Sequence, residues 1–463
     1  MNWTNLYENT RGTWLKGNLH THSGEGMTPE EIVRRYAGKG YDFLCISDHM
    51  KLNTHRLSGK SGFLLLHGFE WNSKVGEHMN LVSFRKPLLA RSTKCHDQKQ
   101  VLAWMAGEPV LVILNHPNWQ EPPHYSREDL MDRPSAAGIE IYNGLIDFLS
   151  GTSLATEKWD YLLSRGRKVL GFASDDAHSP PHVGNAWIMV RAAARTPGAV
   201  FKAVRSGNFY CSTGVTFDVI RRQGQVITVA ARNAREIWAV GEWGVRLDRV
   251  RCGRIVFDFA TMSSAYRKYV RFVAFGKGAA QAWTQPFFMG EPIDDKRFSP
   301  FVGKWRLSRL VTTPLSQIKA AKLSDPSLDW TDVRTDAVPE GFVNVSRRHG
   351  SNDGVCYVGT SVPVPRDGVW TVCLGHDGGV RLFVDGRQVL ETPKRVNPAV
   401  PDRSKVNVRL SRGGHEIVAA LKTDSGMGQG IMLRFMIPVS VRKLPRVPVF
   451  PESLPLCRVS SRR

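Results

Sequence analysis

Long hydrophobic runs are missing from this 463-residue chain. No apolar stretch approaches the roughly 20 residues that a membrane-spanning helix requires, so no membrane association is expected. The segment from Met1 to Glu8 has neither a basic nor an apolar region, and no signal peptide is expected. Cysteine is sparse: seven residues, well separated, with no Cys-x-x-Cys pair. That spacing argues against a structural zinc site, and the odd count fits free thiols. Cys45 and Cys373 sit inside apolar runs, as reduced core thiols do, and a cytoplasmic setting is expected. Heptads, long low-complexity tracts and short internal repeats are also missing.

Negative charge is in deficit. Sixty-three Lys and Arg face forty-two Asp and Glu, giving a formal charge of +21. Such a balance suits nucleic acid or an anionic substrate, or simply a solvated basic surface. The cations are spread along the chain, without the basic–aromatic interleaving of a single-strand binder, so nucleic acid is the weaker reading. Their densest cluster is the tail, 441–463, where prolines interrupt Arg442, Lys443, Arg446, Arg458, Arg462 and Arg463. A poorly ordered tail is expected there.

The length implies two or three domains. Residues 1–215 alternate strand and helix patterns. Thr28-Pro29-Glu30-Glu31 predicts a helix start with Thr28 as N-cap, Pro29 at the first turn and Glu31 closing a capping box. Apolar runs at 41–47, 63–66, 110–114, 138–142 and 169–173 read as strands, and Thr196-Pro197 opens another capped helix. Short-loop alternation of this kind predicts a parallel α/β sheet or barrel. Residues 216–290 lose the helical period and read as a small β-sandwich. Residues 291–303 look like a linker, and 304–440 like a β-sandwich or jelly-roll module. In that module His376-Asp377-Gly378-Gly379 is predicted to be a hairpin connection, with Asp385-Gly386 as a further turn.

What the chain does have is histidine in the right places. Eleven of its fourteen histidines precede residue 183. Nine metal-ligand types close or follow strand-like runs there: His20, His22, Glu25, His49, Glu70, His78, His116, Asp176 and His178. Neutral imidazole with carboxylate suits zinc, manganese or iron. His20 and His22 are two apart, which on a strand places both side chains on one face. A lone His-x-His signifies little, but a series at strand ends is the pattern of a polynuclear hydrolase. Acids beside apolar strands, such as Glu25, Asp48, Glu70 and Asp176, are costly unless cations neutralise them.

With these motifs in order, the first 215 residues resemble the PHP superfamily (polymerase and histidinol phosphatase). The resemblance implies a distorted (β/α)7 barrel and nine ligands around three divalent metal ions. It implies that Glu70 bridges two ions, one held by His20, His22 and Asp176 and one by His78 and His116. Glu25, His49 and His178 would hold the third; Glu25 stands where Asp is common in the family. The phrases Leu15 to His22, Ile139 to Gly144, Ser174 to His178 and Phe209 to Gly214 are similar to the CehA-like branch, known for carbaryl hydrolysis. That branch also implies the small β unit, taken here as Ig-like. The last module loosely resembles galactose-binding-like jelly rolls, with no ligand motif evident.

The expected chemistry is hydrolysis by a metal-activated water attacking phosphorus or a carbonyl carbon, with the cations stabilising the developing negative charge. Phosphoester cleavage of a small or phosphorylated substrate is the leading reading. A carbamate or carboxyl ester hydrolase is the alternative, and a glycan- or polymer-binding protein with an auxiliary first domain is another. Asp175 and His182 are the candidate catalytic residues, as ligand-orienting carboxylate and general acid. Asp48 could also orient a ligand, and Lys16, Asn143 and Trp119 could line the pocket. His55, His67, His96 and His124 read as structural or exposed.

Overall fold

The computed structural model describes residues 1–24, 27–53, 62–259, 268–289, 299, 301–336, 341–394 and 396–437. Glu25, His55, most of the expected linker and the basic tail lie outside them. Two compact units divide the chain, Met1–Pro292 and Ile293–Arg463.

The first unit is mixed α/β. Its elements to residue 212 are β1 (Thr13–Asn18), α1 (Pro29–Gly38), β2 (Phe43–Cys45), β3 (Leu64–Asn72), β4 (His78–Ser83), α2 (Pro87–Ala90), α3 (Gln98–Met105), β5 (Leu111–Leu114), α4 (Arg127–Met131), β6 (Gly138–Asn143), α5 (Thr156–Ser164), β7 (Leu170–Ser174), β8 (Trp187–Ala192), α6 (Pro197–Arg205) and β9 (Phe209–Ser212). Helix starts follow local chemistry. Thr28 accepts a hydrogen bond from the Glu31 amide at 3.3 Å, and Thr196 one from Ala199 at 3.3 Å. At α1 the other half of the expected capping box is replaced, because Arg34 and Arg35 take the Glu31 carboxylate.

Sheet direction departs from the simple alternation. β1, β2 and β3 run parallel, as do β5, β6 and β7, but β4 is antiparallel to both of its neighbours, β3 and β5. β8 is antiparallel to β1 and to β9. Apolar periodicity reports burial and not direction, so the sequence pattern could not separate these cases. The sheet curls until β7 faces β9: the Phe172 and Phe209 rings lie 4.9 Å apart, and the Cys211 thiol donates to the Gly171 carbonyl. In place of a β7–β9 ladder, buried Gln285 bonds both backbone groups of Gly171, at 3.0 Å and 2.7 Å. A side-chain amide thus satisfies edge groups that would be costly to leave unmade.

The stretch after residue 215 holds β10 (Val219–Gln223), β11 (Val226–Ala230), β12 (Glu236–Val240), β13 (Arg246–Val250), β14 (Arg254–Asp258), β15 (Tyr269–Phe275), β16 (Gln281–Thr284) and β17 (Phe287–Phe288). β10, β11 and β14 make a small antiparallel sheet, while β16 pairs with β9 and carries β15, β12 and β13 into the main sheet. One hydrophobic core runs through both stretches. A buried ion pair fastens them: Arg271 on β15 donates to both oxygens of Asp160 on α5, at 2.7 Å and 2.5 Å, and Tyr269 adds a bond of 2.9 Å.

The second unit contains β18 (Lys304–Leu307), β19 (Thr331–Arg334), β20 (Val343–Asn344), α7 (Ser346–His349), β21 (Val355–Val364), β22 (Gly368–His376), β23 (Val380–Val384), β24 (Arg387–Thr392), β25 (Ser404–Leu410), β26 (Gly413–Lys422) and β27 (Gly430–Met436). Two antiparallel sheets form, ordered β19-β18-β21-β26-β23-β24 and β20-β27-β22-β25. Side chains from both fill a shared core around Trp305, Trp370 and Phe435. The expected hairpin at His376–Gly379 is instead a crossing between the two sheets, since β22 and β23 belong to different ones. Its polar residues are buried and internally satisfied: His376 Nδ1 bonds the Gly378 carbonyl at 2.7 Å, and Asp377 accepts from Gly430 at 2.8 Å. Asp385-Gly386 is a true hairpin turn joining β23 and β24, with φ of 49° and 78° as a two-residue turn of this hand requires.

The six cysteines among the described residues are free. Among those residues no helix is long and apolar enough to cross a membrane.

Candidate metal centre

One end of the curled sheet gathers the ligand types. His20 and His22 follow β1, His49 follows β2, and Glu70 lies near the end of β3. His116 follows β5, and Asp176 and His178 follow β7. His78 begins β4, yet it joins the others because an antiparallel strand starts where its parallel neighbours finish; Asn72 on β3 pairs with it directly. His116 and Asp176 take positive φ, 30° and 50°, immediately after their strands. Non-glycine residues take that region uncommonly, Asp and His more readily than most.

Glu70 is the hub, 1% exposed. Its Oε1 lies 3.3 Å from His20 Nε2, 3.2 Å from His78 Nδ1 and 3.3 Å from His116 Nε2. Its Oε2 is 3.4 Å from His22 Nε2 and 3.0 Å from His49 Nδ1. Asp176 Oδ1 stands 3.1 Å from both His20 Nε2 and His22 Nε2, and 3.5 Å from His178 Nδ1. Donor atoms within 4.8 Å of one another form four triads: His20, His22 and Asp176; His20, Glu70 and His116; His49, Glu70 and His78; and His22, His49 and His178. Eight of the nine sequence-selected ligands therefore meet, and Glu25 lies outside the described residues.

Several of these atoms are buried without a hydrogen-bond partner: His20 Nε2, both nitrogens of His22, His78 Nδ1 and Asp176 Oδ1. Each such atom costs about 1–3 kcal/mol if left unsatisfied. Lone pairs and carboxylate oxygens converging on one space are what divalent cations fit, so the donor set suits the metals that the sequence implied. Burial works against charge on Glu70, but His20, His116 and His49 hold its carboxyl well below the usual carboxylate range. Burial likewise opposes Asp176, whose neighbours His20 and His22 keep it ionised. Burial lowers His22, leaving a neutral imidazole, the form that binds metal.

A second layer holds these groups in place. Glu140 on β6, 2% exposed, was not among the sequence-selected residues. It accepts from His20 Nδ1 at 2.7 Å, from the His116 amide at 2.7 Å, from Asn143 at 2.8 Å and from Ser174. The bond to Nδ1 leaves the His20 Nε2 lone pair facing the cavity, as a carboxylate–histidine–metal arrangement requires. An acid in the middle of the buried run Gly138 to Tyr142 was the available signal. Asn115 donates to Glu70 at 2.7 Å, and Asn143 donates to Asp176 at 3.2 Å. His124 bonds His116 Nδ1 at 2.8 Å, so it is neither exposed nor remote from the site. Burial and the neighbouring His116 push His124 down to about 3.

The candidate catalytic pair is placed differently. Asp175 is fully buried, and its carboxylate is taken by the Gly184 and Ala186 amides at 2.7 Å and 2.6 Å. Burial pushes it up to about 6. It pins the loop after Asp176 and does not line the cavity. His182 also stands back from the cavity; its Nδ1 accepts from the His178 amide at 3.3 Å while its ring rests on Phe148. Asp48 accepts from the Ser23 amide and hydroxyl, both at 2.6 Å, and so fixes the turn after His22. Lys16 packs against Tyr41 and Trp187 rather than in the pocket.

The cavity over the cluster measures about 360 Å³. His49, Glu70, His78, His116, Asp176 and His178 form one wall, and Trp119, Leu145, Ile146 and Leu149 form the other. A broader groove of about 960 Å³ lies beyond the β3–β4 turn, lined in part by Lys74, Arg91, Lys94 and Lys99, and holds none of the four triads.

Residues 163–209 match a family model described as PHP-associated. No curated protein matches the chain. Among solved structures the chain is similar to a two-domain protein from Bacteroides vulgatus ATCC 8482 containing a predicted PHP-like metal-dependent phosphoesterase. That likeness has 16% identity and a TM-score of 0.34, over 59% of this chain and 95% of that one. A lesion-specific endonuclease from Pyrococcus furiosus, PfuEndoQ, is similar at 14% identity and a TM-score of 0.33, over 53% of this chain and 69% of that one. A family 35 carbohydrate-binding module from Clostridium thermocellum is similar at 11% identity and a TM-score of 0.18, over 30% and 95% respectively. Likenesses this slight carry no argument about activity.

Proposed function

We propose that this PHP-like chain is a metal-dependent hydrolase, with phosphoester cleavage as its leading reaction. The observation that carries the reading is the convergence of eight ligand-type side chains, four of which (His20, His22, His78 and Asp176) have buried donor atoms without a hydrogen-bond partner. In this reading His20, His22 and Asp176 would hold one divalent ion, and Glu70, His78 and His116 a second. His49, His178 and Glu25 would hold a third. Zinc, manganese and iron fit the donor set. Bound cations supply an acidified water and neutralise charge that develops on the substrate. The chain's own residues orient and insulate. Glu140 and Asn115 fix His20 and Glu70, and Trp119 with the Leu145–Leu149 wall keeps bulk water from one side of the cavity. The curl of β1–β9 supports reading this unit as the distorted (β/α)7 barrel of the superfamily.

The apolar wall favours a second reading. Leu145, Ile146 and Leu149 offer no side-chain hydrogen bond to a sugar or nucleotide and Trp119 only its indole N–H, so a carbamate or carboxyl ester with an apolar group fits the cavity, as in the CehA-like branch. The glycan-binding alternative would place function in the second unit; among the described residues all four ligand triads lie in the first. A substrate panel on metal-loaded protein separates the two hydrolase readings. Turnover of phenyl phosphate esters supports the first, and turnover of aryl carbamates alone supports the second. Failure on both classes with metal bound would reject hydrolysis of either ester.

A further inference from the structure

We propose that His124 is a positioning residue for the metal centre, acting through His116. The inference rests on the metal-site reading above and extends it to a residue with no donor atom in the cluster. His124 Nε2 bonds the Gly76 carbonyl, and His124 Nδ1 lies 2.8 Å from His116 Nδ1. A carbonyl oxygen can only accept, so the proton of neutral His124 sits on Nε2. Its Nδ1 is then bare and must accept. That assigns the His116 proton to Nδ1 and leaves the His116 Nε2 lone pair, 3.3 Å from Glu70 Oε1, directed into the cluster.

The same bond crosses between two ligand-bearing segments. Gly76 belongs to the turn between β3 and β4, two residues before His78, while His116 follows β5. The two imidazole planes are nearly parallel, 9° apart, and the 2.8 Å between their Nδ1 atoms is the distance of an N–H···N bond. His124 thereby sets the tautomer of one candidate ligand and ties it to the turn that delivers the other. Trp119, whose ring meets both imidazoles edge-on, packs against the pair.

The test is calorimetric titration of Zn²⁺ alone into metal-stripped, full-length protein, comparing wild type, His124→Phe, His124→Asn and His116→Ala, with circular dichroism confirming the fold. Phe fills the volume but removes the acceptor, and should weaken Zn²⁺ binding by roughly 10–100-fold. Asn restores an acceptor oxygen near the Nδ1 position and should recover most of that loss, although it is smaller. A purely packing role gives the opposite order, with Phe the better substitute. Phe binding as tightly as wild type, or Asn no better than Phe, overturns the proposal while wild-type binding lost in His116→Ala leaves the metal-site reading intact. A wild type that binds no Zn²⁺ overturns both.

Discussion

Two places in the first unit bury carboxylates, and they solve the problem differently. Asp160 is enclosed between α5 and β15 with every demand met by protein: two bonds from Arg271 and one from Tyr269. Glu70 and Asp176 are equally enclosed, but the imidazole atoms that face them include several with no hydrogen-bond partner. The first arrangement leaves only Arg271 Nη1 without a partner, and a guanidinium N–H has no lone pair to offer a cation. The second is incomplete as protein alone, and cations complete it. A buried acid therefore says little by itself; whether the atoms left unpartnered around it are N–H donors or lone pairs separates a structural lock from a working site.

The comparison can be broken most severely at the open site. Replacing Asp176 by Ala should lower kcat/KM by more than about a hundredfold, since it removes a group that holds the charge-stabilising cations. Circular dichroism should still report a folded chain, because the donors left behind can re-pair with water. Steady-state kinetics on whichever substrate the panel identifies checks this, and near-normal turnover would dissolve the distinction.

At the closed site the expectation is reversed. Arg271→Ala should cost about 3–5 kcal/mol of stability by stranding Asp160, with metal content per folded chain unchanged. Replacing both partners with apolar residues, Asp160→Leu with Arg271→Met, should recover much of that loss in chemical denaturation. A metal site that emptied with the Arg271 variant would show the two places to be one coupled network.

Glu140 sits between the extremes, since it is satisfied by protein yet serves the open site. Glu140→Gln should weaken metal affinity by roughly 10–100-fold while shifting the melting temperature little. The smallest effect is expected in the second unit. Burial opposes charge on His415, but its 2.7 Å bond to Asp385 wins and raises its pKa. A raised folded-state value means the pair stabilises fully below the ordinary histidine range. The benefit is lost as pH climbs through the folded value. Melting of the second unit should therefore decline slightly from pH 6 to 8, by less than about 1 kcal/mol, and the slope should vanish in Asp385→Asn. An unchanged slope in that variant would assign it to another group.

The contrast also explains what could be read from the sequence. His20, His22, Glu70, His116 and Asp176 were legible because ligand chemistry needs particular residue types at strand ends, and strands announce themselves by burial. Thr28 and Thr196 were legible because capping is local. His78 was a candidate that the structure brings to the cluster, but its strand was not foreseen, because strand direction depends on partners that periodicity does not encode. The crossing at His376–Gly379 reads as a hairpin in sequence for the same reason: Gly-Gly marks a turn without saying which sheet follows. Glu140 and His124 escaped because their work is done through bonds to residues 120 and 8 positions away, visible only once the chain is folded. Asp175 attracted notice by adjacency to a ligand, yet successive residues after a strand point in different directions, and its carboxylate is spent on the Gly184–Ala186 loop.

The central claim is that the open cluster is a divalent metal centre. Elemental analysis of the purified full-length protein, beside Asp176→Ala and Arg271→Ala, tests it most directly. Stoichiometric zinc, manganese or iron in wild type, kept in folded Arg271→Ala and lost in Asp176→Ala, is the predicted result. A wild-type chain that stays metal-free even after incubation with these ions would contradict the account.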